Sequence, residues 1–192
     1  MSLKDITALS LGAQVKELLT ARYKVTEHGK TRRLLEIGVI RDDNNIMLAQ
    51  NRDIDAVLRR FRMEDAHEVK PPMDANVQLD NTKCEDCKAD TALYQTIVGS
   101  LMYVALATRP DISYWVTTLS RYNKDPLQMH LTAAKRVLRH LKYTRNYGIH
   151  YSKDSQGSTF GFTDSDWAGR AATRKSVGAC IFFGAPGSRP IH

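Results

Sequence analysis

The residues best suited to chemistry lie near the C-terminus, where two aspartates stand in the run TDSDWAG (residues 163–169). Residues 159–163 alternate between polar and apolar types, which predicts a strand and places Asp164 at its end. Mg²⁺ prefers carboxylate oxygens, and a pair of such ions can catalyse phosphodiester hydrolysis. The pattern therefore permits a metal site at Asp164, although Asp-x-Asp in a loop is more often a turn or a cap.

A second candidate site is a basic face on a helix predicted over residues 126–143. Lys135, Arg139 and Lys142 lie together on this face, and Arg136 lies further round the helix. Cations on one rigid stripe can follow a phosphate backbone, whereas the simpler interpretation is a solvated face. Few Asn, Gln or Ser side chains are available to read base edges, so a helix-turn-helix reader of duplex DNA is the weaker alternative.

The cysteines do not complete a zinc site. Cys84 and Cys87 form a C-x-x-C pair, which is half of a typical site, and neither Cys180 nor a histidine follows at ligand spacing. A polar loop with free thiols is the favoured interpretation. An odd number of cysteines also argues against a disulfide framework, so we expect an intracellular protein, cytoplasmic or nuclear and not secreted.

The composition is typical of a folded basic protein. The chain has 192 residues, of which 42% are hydrophobic, and this share excludes a wholly disordered chain. Lys and Arg number 28 against 21 Asp and Glu, and the resulting net charge of +7 suits a polyanionic partner. No apolar run approaches the roughly 20 residues that span a bilayer, so no membrane association is expected.

The sequence predicts an α+β fold in four segments that position these residues. Residues 1–63 read as a small mixed α/β segment with a hairpin over residues 34–49, and residues 64–91 read as an extended linker. Residues 92–146 show helical periodicity interrupted at two prolines, which predicts three helices. The last segment, residues 147–192, changes to strand periodicity. Strands are predicted at about residues 148–151, 159–163 and 177–183.

Several blocks of this sequence resemble the Pol polyproteins of Ty1/copia-type LTR retrotransposons. The blocks are YQTIVGSLMY (94–103), TRPDISY (108–114), AAKRVLRHLK (133–142), FTDSDWAG (162–169) and RKS (174–176). They follow one another in the order and spacing of that family. The resemblance is looser upstream, where residues 35–38 read LEIG and the family usually shows LGxE, so that Gly and Glu are exchanged.

The resemblance implies a fragment that spans the C-terminal part of reverse transcriptase and the opening of RNase H. Residues 1–63 would be the post-palm segment of reverse transcriptase, and residues 92–146 a helical thumb or connection region. Residues 147–192 would be the N-terminal part of a truncated RNase H-like domain with an incomplete β-sheet. Its nucleic-acid contacts would be the cations of the basic helix, which are Lys135, Arg136, Arg139 and Lys142.

The same resemblance implies magnesium-dependent reactions, and this chain contains only part of the residues that would bind the metal. The family uses Mg²⁺ for polymerisation and for RNA cleavage, and Asp164 matches the first RNase H carboxylate, while Asp166 receives no assigned role. The remaining carboxylates would lie beyond His192, and the polymerase Tyr-x-Asp-Asp motif is absent from this sequence. We therefore expect weak Mg²⁺ binding and no turnover from the chain alone, which leaves open whether it is an enzyme.

Two other functions stay open. The chain could serve as a non-catalytic basic module that binds an RNA/DNA hybrid or other nucleic acid, or it could be a non-functional relic. Other segments of a Pol protein are a second class of partner that the resemblance implies.

Overall fold

The computed structural model describes residues 3–26, 29–74, 77, 79, 88–152, 160–165, 178–183 and 189–190. The chain divides into two units, Met1–Thr31 and Arg32–His192. The first unit contains helix α1 (Leu3–Arg22). The second unit contains the sheet, the remaining helices and the candidate sites.

The main sheet is antiparallel and contains the predicted hairpin. Its strands are β1 (Arg33–Leu34), β2 (Ile37–Arg41), β3 (Asn45–Ala49), β4 (Gly148–Ser152) and β7 (Arg189–Pro190), paired in the order β1-β2-β3-β4-β7. In the β2–β3 turn, a carboxylate oxygen of Asp42 accepts hydrogen bonds from the backbone N–H groups of Asn44 and Asn45. The side-chain hydrogen bond from Asn45 and these backbone bonds lower the pKa of Asp42.

Strand β4 connects distant parts of the chain. Ala49 at the end of β3 pairs with Gly148, and Asn45 pairs with Ser152. A Cβ atom at residue 148 would lie 2.3 Å from the carbonyl oxygen of Leu48, so only glycine allows this approach. The strand at residues 148–152 is thus confirmed, and its partner is the hairpin of the first predicted segment. The segment boundaries themselves stay predictions.

The other two strands that the structure describes form a separate antiparallel pair. They are β5 (Phe160–Ser165) and β6 (Gly178–Phe183), and Asp164 lies opposite Ala179 in their register. Both strands fall where the sequence periodicity predicts them. Together with the helices they confirm the α+β class.

Among the described residues of the second unit, four helices and one 3₁₀ turn build the core. They are α2 (Asn51–Arg60), α3 (Thr91–Ala107), the 3₁₀ turn Pro110–Ile112, α4 (Ser113–Ser120) and α5 (Gln128–Tyr143). Asp90 caps α3 by accepting a hydrogen bond from the N–H of Leu93. Asn51 is the first residue of α2, and its side chain donates a hydrogen bond to the side chain of Asn146.

The three-helix prediction for residues 92–146 is confirmed, since apolar residues from α3, α4 and α5 form one core. Its fully buried members include Ile97, Leu101, Val116, Leu119, Val137, Leu138 and Leu141. Residues 64–74 form turns and bends without a helix or strand. Across the described ranges, none of the helices combines the length and apolar character needed to cross a membrane.

Candidate nucleic-acid interface

Helix α5 carries the predicted basic residues on a rigid support. Ala134, Val137, Leu138 and Leu141 are fully buried and fix one face of the helix against α3 and α4. Burial of four such side chains contributes several kcal/mol to holding the helix in place. The cations on its other faces are therefore presented in a fixed arrangement.

A segment without regular structure lies along these cations, and we call residues 64–74 the strap. The Nζ atom of Lys142 donates to the carbonyl oxygen of Ala66 at 3.1 Å, and Nε of Arg139 donates to the carbonyl oxygen of His67 at 2.5 Å. Carbonyl groups outside helices and sheets need other donors, and these side chains supply them. The strap is thereby bound to the basic face.

Two further contacts continue the strap toward the N-terminus of α5. Nδ1 of His140 lies 2.5 Å from the carbonyl oxygen of Lys70, so this nitrogen carries a proton and donates it. Nη2 of Arg136 forms an ion pair of 2.6 Å with Asp74. Because the contacts pass from residue 142 to residue 136 as the strap advances, the strap runs antiparallel to the helix.

The strap leaves most of the positive charge of α5 uncompensated. Arg139 and Lys142 donate to neutral carbonyl groups, and Asp74 compensates only Arg136. Lys135 is half-buried and has no hydrogen-bond or ion-pair partner among the described residues. The predicted basic face of α5 is therefore present, and the strap accepts hydrogen bonds from some of its donors. Contact of this face with nucleic acid stays a prediction.

Sequence reasoning did not identify a buried ion pair in the TRPD block. Arg109 is 1% exposed, and it donates to both carboxylate oxygens of Asp111 at 2.8 and 2.6 Å. It also donates to the carbonyl oxygen and the hydroxyl of Thr144, at 3.0 and 2.5 Å. The arginine thus joins the end of α3 to the end of α5. The sequence signal that could have identified this pair is an arginine and an aspartate on either side of a proline, placed between two apolar helices.

The carboxylate of Asp111 stays ionised within this cluster. Burial by itself would raise the pKa of Asp111, but the hydrogen bonds and charges of Arg109 and His140 outweigh burial and hold the pKa well below its usual range. The Nε2 atom of His140 lies 3.4 Å from the same carboxylate. Since its donors and acceptors are engaged internally, we assign this cluster to the packing of the helices.

The structure gives less information on the candidate metal site. The backbone of Asp164 lies in β5, whereas the surroundings of its side chain, together with Asp166, Cys84 and Cys87, lie outside the described residues. Within the part of the chain that the structure describes, no cluster of three or more His, Cys, Asp or Glu could hold a metal ion. The Mg²⁺ assignment to Asp164 stays a prediction.

Two transposon polyproteins are similar to most of this chain. Over 154 residues it is 39% identical to the retrovirus-related Pol polyprotein from transposon RE1 of Arabidopsis thaliana, covering 79% of this chain and 10% of that protein. Over 177 residues it is 30% identical to the corresponding polyprotein from transposon TNT 1-94 of Nicotiana tabacum, covering 88% and 13%. The chain belongs to the Ty1/copia-type Pol polyprotein family. The resemblance of the sequence blocks is thereby confirmed.

This member of the Pol family spans about a tenth of the length of the polyproteins that it matches. A shorter relative is an uncharacterized mitochondrial protein of Arabidopsis thaliana, 30% identical over 167 residues that cover 86% of this chain and 68% of that protein. A scan against protein-family models found no match. A search of solved structures also found none.

Proposed function

We propose that this chain is the part of a Pol polyprotein that spans the C-terminal region of reverse transcriptase and the opening of RNase H. In this setting helix α5 contacts the backbone of the RNA/DNA template–primer. The chain by itself performs neither polymerisation nor RNA cleavage.

The uncompensated charge on α5 carries this proposal. Lys135, Arg139 and Lys142 lie together on one face of a helix that the core holds rigid, and no carboxylate among the described residues pairs with them. A phosphate backbone is a row of anions, and rigid cations bind it with release of counterions. The net charge of +7 favours the same class of partner over long range.

The expected lack of turnover follows from the chemistry of two-metal hydrolysis. Such hydrolysis needs several carboxylates to fix the geometry of the ions and to balance their charge. Asp164 is the one residue of this sequence that we match to that set. A lone carboxylate leaves Mg²⁺ largely hydrated, so we expect nucleic-acid contact without cleavage.

The salt dependence of hybrid binding tests this proposal. Three phosphate contacts predict that the logarithm of the binding constant falls with the logarithm of salt concentration with a slope of about −3. The variant Lys135→Gln/Lys142→Gln should reduce that slope to about −1. Lys88→Gln/Lys124→Gln removes the same charge from exposed residues outside α5 and should change the slope less.

Two results would contradict the proposal. Equal changes of slope in the two double variants would show that only the total charge matters. Failure to bind the hybrid at low salt, together with aggregation, would favour a non-functional relic.

A further inference from the structure

We propose that the strap is an autoinhibitory cover of the basic face, which an RNA/DNA hybrid displaces when it binds. This inference rests on the proposed function and adds a regulatory step to it. In the free protein the strap takes the Nε–H donor of Arg139 and one of the three N–H donors on Nζ of Lys142, and a phosphate oxygen at the same positions would compete for them. Strap and hybrid therefore compete for part of the donor set, and the hybrid gains all of these donors only when the strap is displaced.

Polar contacts, and not apolar burial, hold the first part of the strap. None of residues 64–72 is buried, whereas Met63 packs against the core on one side and Met73 is 5% exposed on the other. Displacement of residues 64–72 thus exchanges their hydrogen bonds with α5 for other hydrogen bonds. The apolar contacts of Met63 and Met73 stay in place. Exchange of a neutral carbonyl for an anionic phosphate oxygen strengthens the bonds of Arg139 and Lys142, because it adds an attraction between opposite charges to a bond whose donor is already charged.

The charge of the strap fits its role as a competitor of nucleic acid. It contains four acidic residues and one lysine, and the acidic residues are Glu64, Asp65, Glu68 and Asp74. Asp74 places a carboxylate on Arg136 in the way that a phosphate would. Glu64, Asp65 and Glu68 also repel an approaching phosphate backbone, so displacement of residues 64–72 removes this repulsion together with the competition at Arg139 and Lys142.

The strap has enough length and space to move. Its contacts follow α5 from Lys142 to Arg136, which is about 9 Å along the helix axis. The strap residues that make them, from 66 to 74, could extend to roughly 26 Å. A cavity of about 360 Å³ opens beside the first part of the strap, and Glu64, Glu68 and Lys142 are among the residues that line it. Lys142 is therefore reachable from solvent while the strap is in place.

Proteolysis of the full chain with and without a saturating RNA/DNA hybrid tests this inference. A glutamate-specific endoprotease reports on the strap through cleavage after Glu68. Glu36, in the exposed turn before β2, is the internal reference. Since cleavage follows the population of the open segment, we expect the hybrid to accelerate cleavage after Glu68 about tenfold and to leave cleavage after Glu36 unchanged.

A charge variant provides a second measurement. Asp74→Asn frees Arg136 and should tighten hybrid binding roughly two- to fivefold, the range expected for one partly exposed ion pair. Asp125→Asn is the matched control, because Asp125 forms an exposed ion pair with Lys88 away from the strap. Its effect on affinity should be smaller.

The outcomes separate this inference from the function on which it rests. Hybrid binding without faster cleavage after Glu68 would overturn the inference alone. Equal acceleration at Glu36 and Glu68 would indicate general loosening and would also overturn it. Failure to bind the hybrid would overturn both.

Discussion

Replacement of Arg109 by methionine should destabilise the second unit strongly. The change removes four hydrogen bonds and leaves Asp111 and the carbonyl oxygen of Thr144 without their main donor. Loss of one partner from a buried ion pair costs about 3–5 kcal/mol. The Asp111 side chain is 26% exposed and retains some hydration. We therefore expect Arg109→Met to lower the free energy of unfolding by about 3 kcal/mol.

Urea unfolding followed by circular dichroism measures this cost. The double variant Arg109→Met/Asp111→Leu should recover part of the lost stability, because no unpaired charge is left in the core. Arg145→Met is the matched control, since Arg145 pairs with Asp55 at the surface and its loss should cost less than about 1 kcal/mol. A cost below about 1 kcal/mol for Arg109→Met would refute the assignment of this pair to the packing of the core.

Further predictions concern pH, two backbone positions and the metal site. Since the folded-state pKa of Asp111 is depressed, its stabilisation is present above the ordinary value of 3.8 and is lost as pH falls below it. Urea midpoints between pH 5 and pH 2 should therefore fall more steeply for the wild-type chain than for Asp111→Asn. Glu36 has a φ of +64°, so Glu36→Gly should raise the thermal midpoint, because it relieves about 1–2 kcal/mol of strain and loses only an exposed ion pair with Arg33. Gly148→Ala should cost about 2–3 kcal/mol in urea unfolding, because its Cβ would collide with the β3 backbone. A fluorescent RNA/DNA hybrid incubated with Mg²⁺ should stay intact with the wild-type chain and with Asp164→Asn.

Each of these has a contradicting result. If the urea midpoints of the wild-type chain and of Asp111→Asn fell equally between pH 5 and pH 2, Asp111 would not contribute to the loss of stability in acid. A lower midpoint for Glu36→Gly would show that the turn is not strained, and a neutral Gly148→Ala would show that β3 and β4 can separate. Hybrid cleavage that disappears in Asp164→Asn would show that the chain is a complete nuclease.

The helices and strands were largely predictable because their signals are local. The apolar spacing of Val137, Leu138 and Leu141 defines the buried face of α5 whatever that face contacts. The alternation around Phe162 likewise gives β5. The α+β class and the family blocks depend on such signals.

The long-range arrangement was not predictable, for physical reasons that particular residues show. Pairing of β3 with β4 depends on the close approach at Gly148, and a single glycine in a strand carries no information on its partner. The strap is held through the carbonyl oxygens of Ala66, His67 and Lys70, and every residue type has such an oxygen. Sequence patterns located the basic stripe and could not show what covers it.

Lysine footprinting tests the central claim about α5 most directly. With a saturating RNA/DNA hybrid, the account predicts that Lys135 and Lys142 are protected from acetylation while Lys88 and Lys124 keep their free-protein rates. Protection of Lys88 and Lys124 with no change at Lys135 and Lys142 would contradict it.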